Sequence, residues 1–267
     1  MTEHVIITEH DQILEFVFNR PDKYNAMSAE MRASFAAAVE TFSARRDLRV
    51  MLIRAVGKYF TAGAEVGEGM VPDFKGSTSA ARHWYRDRFA PVFNLMEATE
   101  KPIVVAHQGP CYGGGLEMSL SCDFRLAARS ARYALPETDI GLLPGSGGTS
   151  KLTRLIGPHW ARWLIMASQK IDADQALSMG LVHAVYPDDE FEARVREFCR
   201  HLISLPPETL ALAKVSIELA ADLESHQARN VERLANSILF IGDERREYLE
   251  KFLSAQAEKR RLKKPSA

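Results

Sequence analysis

Apolar and polar positions recur along the chain with two periods, one of strands and one of helices. Residues 5–8 and 13–19 read as strands; in the second, Ile13, Glu15, Val17 and Asn19 share one face, and Leu14, Phe16 and Phe18 the other. Asn19-Arg20-Pro21-Asp22 breaks that pattern. Ser28 is a good N-cap for a helix running to about Ala44, with Met31, Phe35, Ala38 and Phe42 at helical spacing. Residues 50–55 and 102–106 are short continuous apolar runs, the mark of strands buried on both faces. Between them lies a glycine-rich stretch, residues 57–76, followed by a helix over roughly residues 79–98. Part of residues 67–80 is expected to be mobile, because loops of that length are usually functional or disordered. From about Ser146 the pattern is mostly helical, punctuated by Gly157-Pro158, Gly180, Pro187, Pro206-Pro207 and Gly242. The expected organisation is an α/β core over residues 1–200 with a helical C-terminal region over residues 201–267.

Composition narrows the class. The 267 residues are 46% hydrophobic and 26% charged, close to an average globular chain. Thirty-four basic residues against thirty-five acidic ones leave a net charge of −1, so no nucleic-acid or anionic-membrane partner is expected. The run Lys259-Arg260-Arg261-Leu262-Lys263-Lys264 reads as a solvated, frayed end or as a local site for phosphates or RNA. Three cysteines, Cys111, Cys122 and Cys199, without CxxC spacing imply neither a disulfide framework nor a zinc site. The N-terminus carries no secretory pattern and no apolar run reaches the roughly 18 residues of a membrane span. A soluble, reducing, cytoplasmic setting is expected.

Three loops concentrate the unusual chemistry. Phe60-Thr61-Ala62-Gly63-Ala64-Glu65 follows one predicted strand, and Gly109-Pro110-Cys111-Tyr112-Gly113-Gly114-Gly115-Leu116-Glu117 follows another. The third runs from Leu135-Pro136-Glu137 through Gly141, Pro144-Gly145 and Gly147-Gly148-Thr149. Three consecutive glycines between a strand and a helix are either a plain tight turn or a place where free N–H groups meet a developing negative oxygen. They are not a P-loop, since no lysine follows them, nor GxGxxG, and no GxSxG elbow surrounds Ser119 or Ser146. The eight histidines show no HxxxH spacing, so no metal site is expected.

In this order the segments resemble those of the crotonase (enoyl-CoA hydratase/isomerase) superfamily. Arg20-Pro21 with Asp22-Lys23-Tyr24-Asn25-Ala26-Met27 is similar to its early NRP…NAM stretch, and residues 60–65 to its F-x-AGAD loop. Residues 109–117 are similar to NG-x-x-x-GGG-x-E, and residues 136–149 to PE-x-x-x-G-x-x-PG-x-GGT. Two departures stand out: Glu65 replaces the usual Asp, and His107-Gln108 precedes Gly109 where an Asn is common. The resemblance implies a crotonase-like spiral of ββα units, an acyl-CoA thioester as substrate, and assembly as a homotrimer or dimer of trimers. Coenzyme A arrives with the substrate, so no separate cofactor is implied. It further implies that the backbone N–H groups of Ala64 and Gly114 form an oxyanion hole, flanked by Ala62, Gly63 and Glu65. Lys23, Tyr24 and Ala26 would lie near the CoA, and Gly145 would help position water.

Two carboxylates occupy the positions that distinguish hydratases, Glu117 and Glu137. Singly, each is also an ordinary residue for its place, a helix-start acid and a turn acid. Together, as the resemblance implies, Glu117 would deprotonate water and Glu137 protonate C2 of a 2-enoyl-CoA, giving an enoyl-CoA hydratase. Alternatives are an enoyl-CoA isomerase, a dehydratase, a 3-hydroxyacyl-CoA hydrolase, or a non-catalytic family member acting as a binding subunit. Leu135-Pro136-Glu137-Thr138 resembles the hydrolase branch, but Gly145 follows Pro144 where that branch usually has an acid. Trp84, Tyr85, Phe89 and Met96 are candidates for the acyl-tail pocket or for plain core. Lys251 and Phe252 are candidates for contact with the CoA of a neighbouring subunit.

Overall fold

The computed structural model describes residues 4–65, 67 and 71–262, with side chains as far as residue 258. The chain divides into two compact units, residues 1–202 and 203–267. In the first, β1 (Val5–His10) and β2 (Ile13–Phe18) form an antiparallel hairpin turned by Asp11 and Gln12, both at positive φ. Parallel strands β3 (Val50–Ala55), β4 (Ile103–His107), β6 (Phe124–Ala128) and β9 (Ala184–Tyr186) extend it into a six-stranded sheet ordered β1-β2-β3-β4-β6-β9. A second sheet of three short strands joins β5 (Cys111–Tyr112), β7 (Arg132–Ala134) and β8 (Ile171–Asp172).

Parallel neighbours need crossovers, and helices supply them. α1 (Ala29–Ala44) starts at Ser28, whose hydroxyl accepts the Met31 N–H at 3.2 Å. Its buried face of Met31, Phe35, Ala38, Val39 and Phe42 packs into the core with Phe16 and Phe18. Lys101 closes the other end of α1, its ammonium donating to the carbonyls of Phe42, Arg45 (2.8 Å) and Leu48 (3.2 Å).

One expectation is corrected. The helix expected over residues 79–98 is two helices, α2 (Thr78–Arg86) and α3 (Ala90–Ala98), because Pro91 sits in the first turn of α3 and cannot donate to a preceding turn. Residues 78–80 are therefore helical, while residues 68–70 of the segment expected to be mobile lie outside the described residues. In β2 both faces of the alternation are buried, all six residues. Glu15, 1% exposed, is neutralised there by Arg54, by Arg196 at 2.9 Å and by His10 at 2.8 Å.

The remaining helices of this unit are α4 (Gly114–Ser119), α5 (Gly148–Ile165), α6 (Ala173–Ser178) and α7 (Phe191–Ser204). The second unit is helical, with α8 (Pro207–Ala220), α9 (Ser225–Ile241) and α10 (Asp243–Leu262). Taken by itself it leaves Leu234, Ile238, Phe240 and Ile241 of α9 exposed. Lys251 pairs with Glu247 along α10 at 2.6 Å. The side chains of the basic run at residues 259–264 lie outside the described residues. Among the described residues, no helix is long and apolar enough to cross a membrane.

Candidate active site

The loop after β3 and the loop after β4 meet side by side. Thr61 forms a parallel bridge with Cys111, and the Thr61 N–H donates to Pro110 O at 3.1 Å while the Tyr112 N–H donates back to Thr61 O at 3.0 Å. The contact is close enough to demand glycine. A Cβ on Gly63 would come within 2.8 Å of Tyr112 O and 3.2 Å of Gly114 N, and Gly63 has φ +96°. A Cβ on Gly114 would lie 3.4 Å from Ala64 N, so the amides of Ala64 and Gly114 are near neighbours across the seam.

Their neighbours in sequence are occupied. The Gly63 N–H donates to Thr61 Oγ1 at 3.0 Å, Glu65 N–H to Met27 O at 3.3 Å, and Gly113 N–H to Ala134 O at 3.0 Å. Among the described residues, the N–H groups of Ala64 and Gly114 have no acceptor. Gly114 opens α4, so its amide is also one of the free donors at the positive end of a helix. Two unsatisfied donors side by side suit a single oxygen that gains negative charge.

The loop carrying Ala64 is tied down on its other side. The Arg20 guanidinium pairs with Glu65 at 2.8 Å, and Arg20 also donates to Ala26 O at 3.4 Å. Buried Asn25 accepts the Arg20 N–H at 2.8 Å and donates to Val56 O at 2.9 Å and Tyr59 O at 2.8 Å. The Ala62 N–H donates to Tyr24 O at 2.9 Å. Glu65 thus pairs within the protein, with Arg20. Lys23 and Tyr24 stand exposed on the turn formed by residues 21–26. The His107 and Gln108 departure is internal too: His107 sits fully buried between the Tyr133 hydroxyl (3.0 Å) and Ser119 Oγ (2.9 Å), and Gln108 bonds Gly57 O and Tyr59 O.

Glu117, on α4, is 3% exposed. Its Oε1 accepts two backbone N–H bonds, from Ser146 at 2.7 Å and Gly148 at 3.1 Å. Burial pushes its carboxyl above the ordinary range, and the two amides and the Lys151 charge pull it back. Lys151 is itself held by Glu97 at 2.5 Å and Ser121 Oγ at 2.8 Å. Glu137 comes from a short 3-10 turn, Pro136–Ile140, and faces the same space. Its Oε2 is buried without a hydrogen-bond partner. Burial first, and the nearby Glu117 charge second, push its carboxyl up to about 7. Both carboxyls are therefore raised by burial; donors around Glu117 work against that shift, while Glu137 is held where its protonated form persists near neutrality.

Tyr85, on α2, completes the enclosure. A Cβ on Gly145 would lie 2.8 Å from its ring and 3.2 Å from its hydroxyl, so the phenol packs directly on Gly145. The phenol feels the charges of both Glu117 and Glu137, so it lies at the same centre. Among the described residues, no group of three or more His, Cys, Asp or Glu side chains could hold a metal ion.

The sequence model described as enoyl-CoA hydratase/isomerase matches residues 8–263. The chain belongs to that family. A crotonyl-CoA hydratase of Syntrophomonas wolfei is 30% identical over 254 residues, covering 94% of this chain and 95% of the relative. A short-chain-enoyl-CoA hydratase of Clostridium acetobutylicum is 30% identical, covering 97% and 96% of the two chains. The crystal structure of an enoyl-CoA hydratase from Thermoplasma volcanium superposes with a TM-score of 0.84 at 31% identity, covering 93% and 96%. The crotonase-like fold with a helical C-terminal region is that of this family.

Of the residues singled out in sequence, the structure gathers Ala64, Gly114, Glu117, Glu137, Gly145 and Gly63 around one centre. Ala62, Glu65, Lys23, Tyr24 and Ala26 lie on the loops that brace it. Sequence reasoning missed the amides of Ser146 and Gly148 as partners of Glu117, although the P-G-x-G-G-T word was the available signal. It placed Tyr85 in the acyl pocket or core, with nothing to indicate that its hydroxyl meets Gly145. Phe89 and Met96 are buried core residues, whereas Trp84 and Tyr85 are half-buried.

Proposed function

We propose that this protein hydrates 2-enoyl-CoA thioesters across the C2–C3 double bond. The observation that carries the reading is the pair of amides, Ala64 and Gly114, unused among the described residues, beside two buried carboxyls, one accepting two backbone N–H bonds and the other raised to about 7. The thioester oxygen would accept both N–H bonds, which withdraws electron density and makes C3 electrophilic. Glu117, ionised, takes a proton from water as the water oxygen bonds to C3. The electron pair of the double bond moves toward the thioester oxygen, where the two amides stabilise the enolate. Glu137, protonated, delivers its proton to C2 as the carbonyl re-forms. One H and one OH are added, and proton exchange between the two carboxyls restores the starting state. Each carboxyl is expected to supply roughly 10²–10⁴ in rate. Gly145 and Tyr85 border the position of the attacking water.

On the same reading, Lys23, Tyr24 and Ala26 run beside the CoA, no cofactor beyond the substrate's own CoA takes part, and the enzyme works in the cytoplasm. The chain assembles as a homotrimer or dimer of trimers, a proposal supported by the apolar face that α9 leaves open in the isolated chain. Light scattering after size exclusion checks the assembly; a monomer contradicts it. For the reaction, loss of the conjugated thioester absorbance is followed on enoyl-CoAs of increasing chain length. Hydration of at least one is expected. Release of free CoA without hydration would assign the hydrolase reaction instead.

A further inference from the structure

Lys151, in the first turn of α5, crosses the peptide run that grips Glu117. Glu117 Oε1 accepts the N–H groups of Ser146 and Gly148, and the residue between those donors, Gly147, lies under the lysine stem. The Lys151 N–H donates to Gly147 O at 2.8 Å, and a Cβ on Gly147 would come within 2.7 Å of Lys151 Cε and 2.9 Å of its Cδ. Beyond Gly147 the ammonium is fixed at two points. It donates to the Oγ of buried Ser121, just past the end of α4, at 2.8 Å, and pairs with Glu97 of α3 at 2.5 Å. One side chain therefore joins α3, the end of α4 and the loop before α5, and α4 is the helix that carries both Gly114 and Glu117.

Placement along α4 separates the two carboxyls. Gly113, Glu117 and Ser121 follow at every fourth residue, about one helical turn apart. Glu137 Oε1 packs against Gly113 at the start, whereas Lys151 reaches Ser121 at the far end. The cation thus stands on the Glu117 side of the pair. Facing Glu117 are Glu137 from the 3-10 turn, the Tyr85 phenol of α2, and Lys151 with its partner Glu97. At the far end of α4, Arg125 donates to Ser119 O at 3.2 Å and Cys122 O at 2.7 Å. His107 and Cys111, both at Ser119 Oγ, are kept neutral there by burial, which pushes the first down to about 3 and the second up to about 12. The Lys151 charge draws Glu117 toward its anion, against burial.

We propose that Lys151 is a positioning residue for hydration: anchored by Glu97 and Ser121 on the peptide run that grips Glu117, it makes Glu117 rather than Glu137 the carboxylate of the pair. The inference rests on the proposed roles of the two glutamates. Two carboxyls at one centre titrate as a pair, so a cation on one side decides which of them keeps the proton. Lys151 acts through Glu117 and not on the substrate.

The test reads the Glu117 carboxyl first and the reaction second. In a Glu137→Gln background, which removes the coupled neighbour, the Glu117 band is identified by its loss in Glu117→Gln. Its titration midpoint is then followed by pH-difference infrared spectroscopy. Adding Lys151→Met, which keeps the stem and drops the charge, should raise the midpoint by roughly one unit. Adding Glu97→Gln, which frees the ammonium from its counter-charge, should lower it, and Lys151→Arg should leave it near its starting value. Opposite signs from two substitutions that break the same ion pair mark an electrostatic role, because a merely structural clamp would shift both the same way. With Glu137 restored, the acidic limb of kcat/KM for crotonyl-CoA should move in the same directions. An unmoved midpoint in Lys151→Met, or shifts of one sign in Lys151→Met and Glu97→Gln, overturns the proposal. If Lys151→Met does not fold, the absence of a downward shift in Glu97→Gln overturns it instead. If the midpoints move as expected and no enoyl-CoA is hydrated, the hydratase reading fails while the hold of Lys151 on Glu117 stands.

Discussion

Glu137 Oε1 lies against the backbone of Gly113, so close that a Cβ there would come within 2.9 Å of it. The same glycine accepts the Glu117 N–H at 3.1 Å through its carbonyl and immediately precedes Gly114. One residue therefore spaces both carboxyls and one oxyanion donor, and its φ of +54° with ψ of −130° is open to glycine rather than to side-chain-bearing residues. Gly113→Ala is predicted to lower kcat at least tenfold and to cost about 1–3 kcal/mol of stability. The second loss should read as roughly 2–4 °C in Tm per kcal/mol. Unchanged kcat in a folded variant would contradict the spacing role.

Glu117→Gln and Glu137→Gln should each lower kcat for crotonyl-CoA by roughly 10²–10⁴, with little change in KM. Glutamine preserves shape, so a rise in KM with kcat intact would mean that the carboxyls bind substrate without moving protons.

The pH dependence follows from Glu137. Its carboxyl is raised from 4.5 to about 7, and in the hydration direction it must carry a proton, so activity should fall as pH rises through about 7. The stability linkage has a defined sign. Because the native state favours the protonated form, wild-type stability is lost as pH climbs from the unfolded value of 4.5 toward about 7, then levels off. Glu137→Gln escapes this, so its Tm relative to wild type should increase across that window. A Tm difference that is flat with pH would show that Glu137 is not held protonated by the fold.

Arg20 and Glu65 tie the loop carrying Ala64 to the turn at residues 20–26. The Arg20 hydrogen bond holds the Glu65 carboxyl below its usual value, so the pair's contribution is present at neutrality and lost as pH falls below about 4.5. Glu65→Gln should cost no more than about 1 kcal/mol at pH 7, since both side chains retain solvent contact, and nothing in acid. Comparison of Tm at pH 7 and at a pH well below 4.5 checks this. A larger effect on kcat/KM than on Tm is expected if, as proposed, the loop delivers the Ala64 amide to the substrate.

Much of this architecture was legible where local signals agree. Ser28 as N-cap, helix spacing through Phe42 and the apolar run of β3 each point the same way, and the boundaries match. Legibility failed where a distant partner decides. The alternation of β2 put Glu15 on a face with Ile13 and Val17 but could not show how it is buried: Arg54, Arg196 and His10 converge on it from three other places in the chain. The single helix expected over residues 79–98 overlooked Pro91. At the site, glycine words in order revealed which loops matter. They did not reveal that Ser146 and Gly148 donate to Glu117 across 29 and 31 residues, nor that Tyr85 folds onto Gly145. Such contacts depend on how the crossovers close, and no local pattern encodes them.

The central claim is that two main-chain donors polarise one thioester oxygen, and infrared difference spectroscopy reads it directly. An unreactive conjugated enoyl-CoA labelled with ¹³C at the carbonyl would be bound to the wild-type protein. The account predicts that the carbonyl stretch shifts to lower frequency than in buffer, because hydrogen bonds from Ala64 and Gly114 draw electron density onto the oxygen. A bound carbonyl at or above its frequency in water would contradict it.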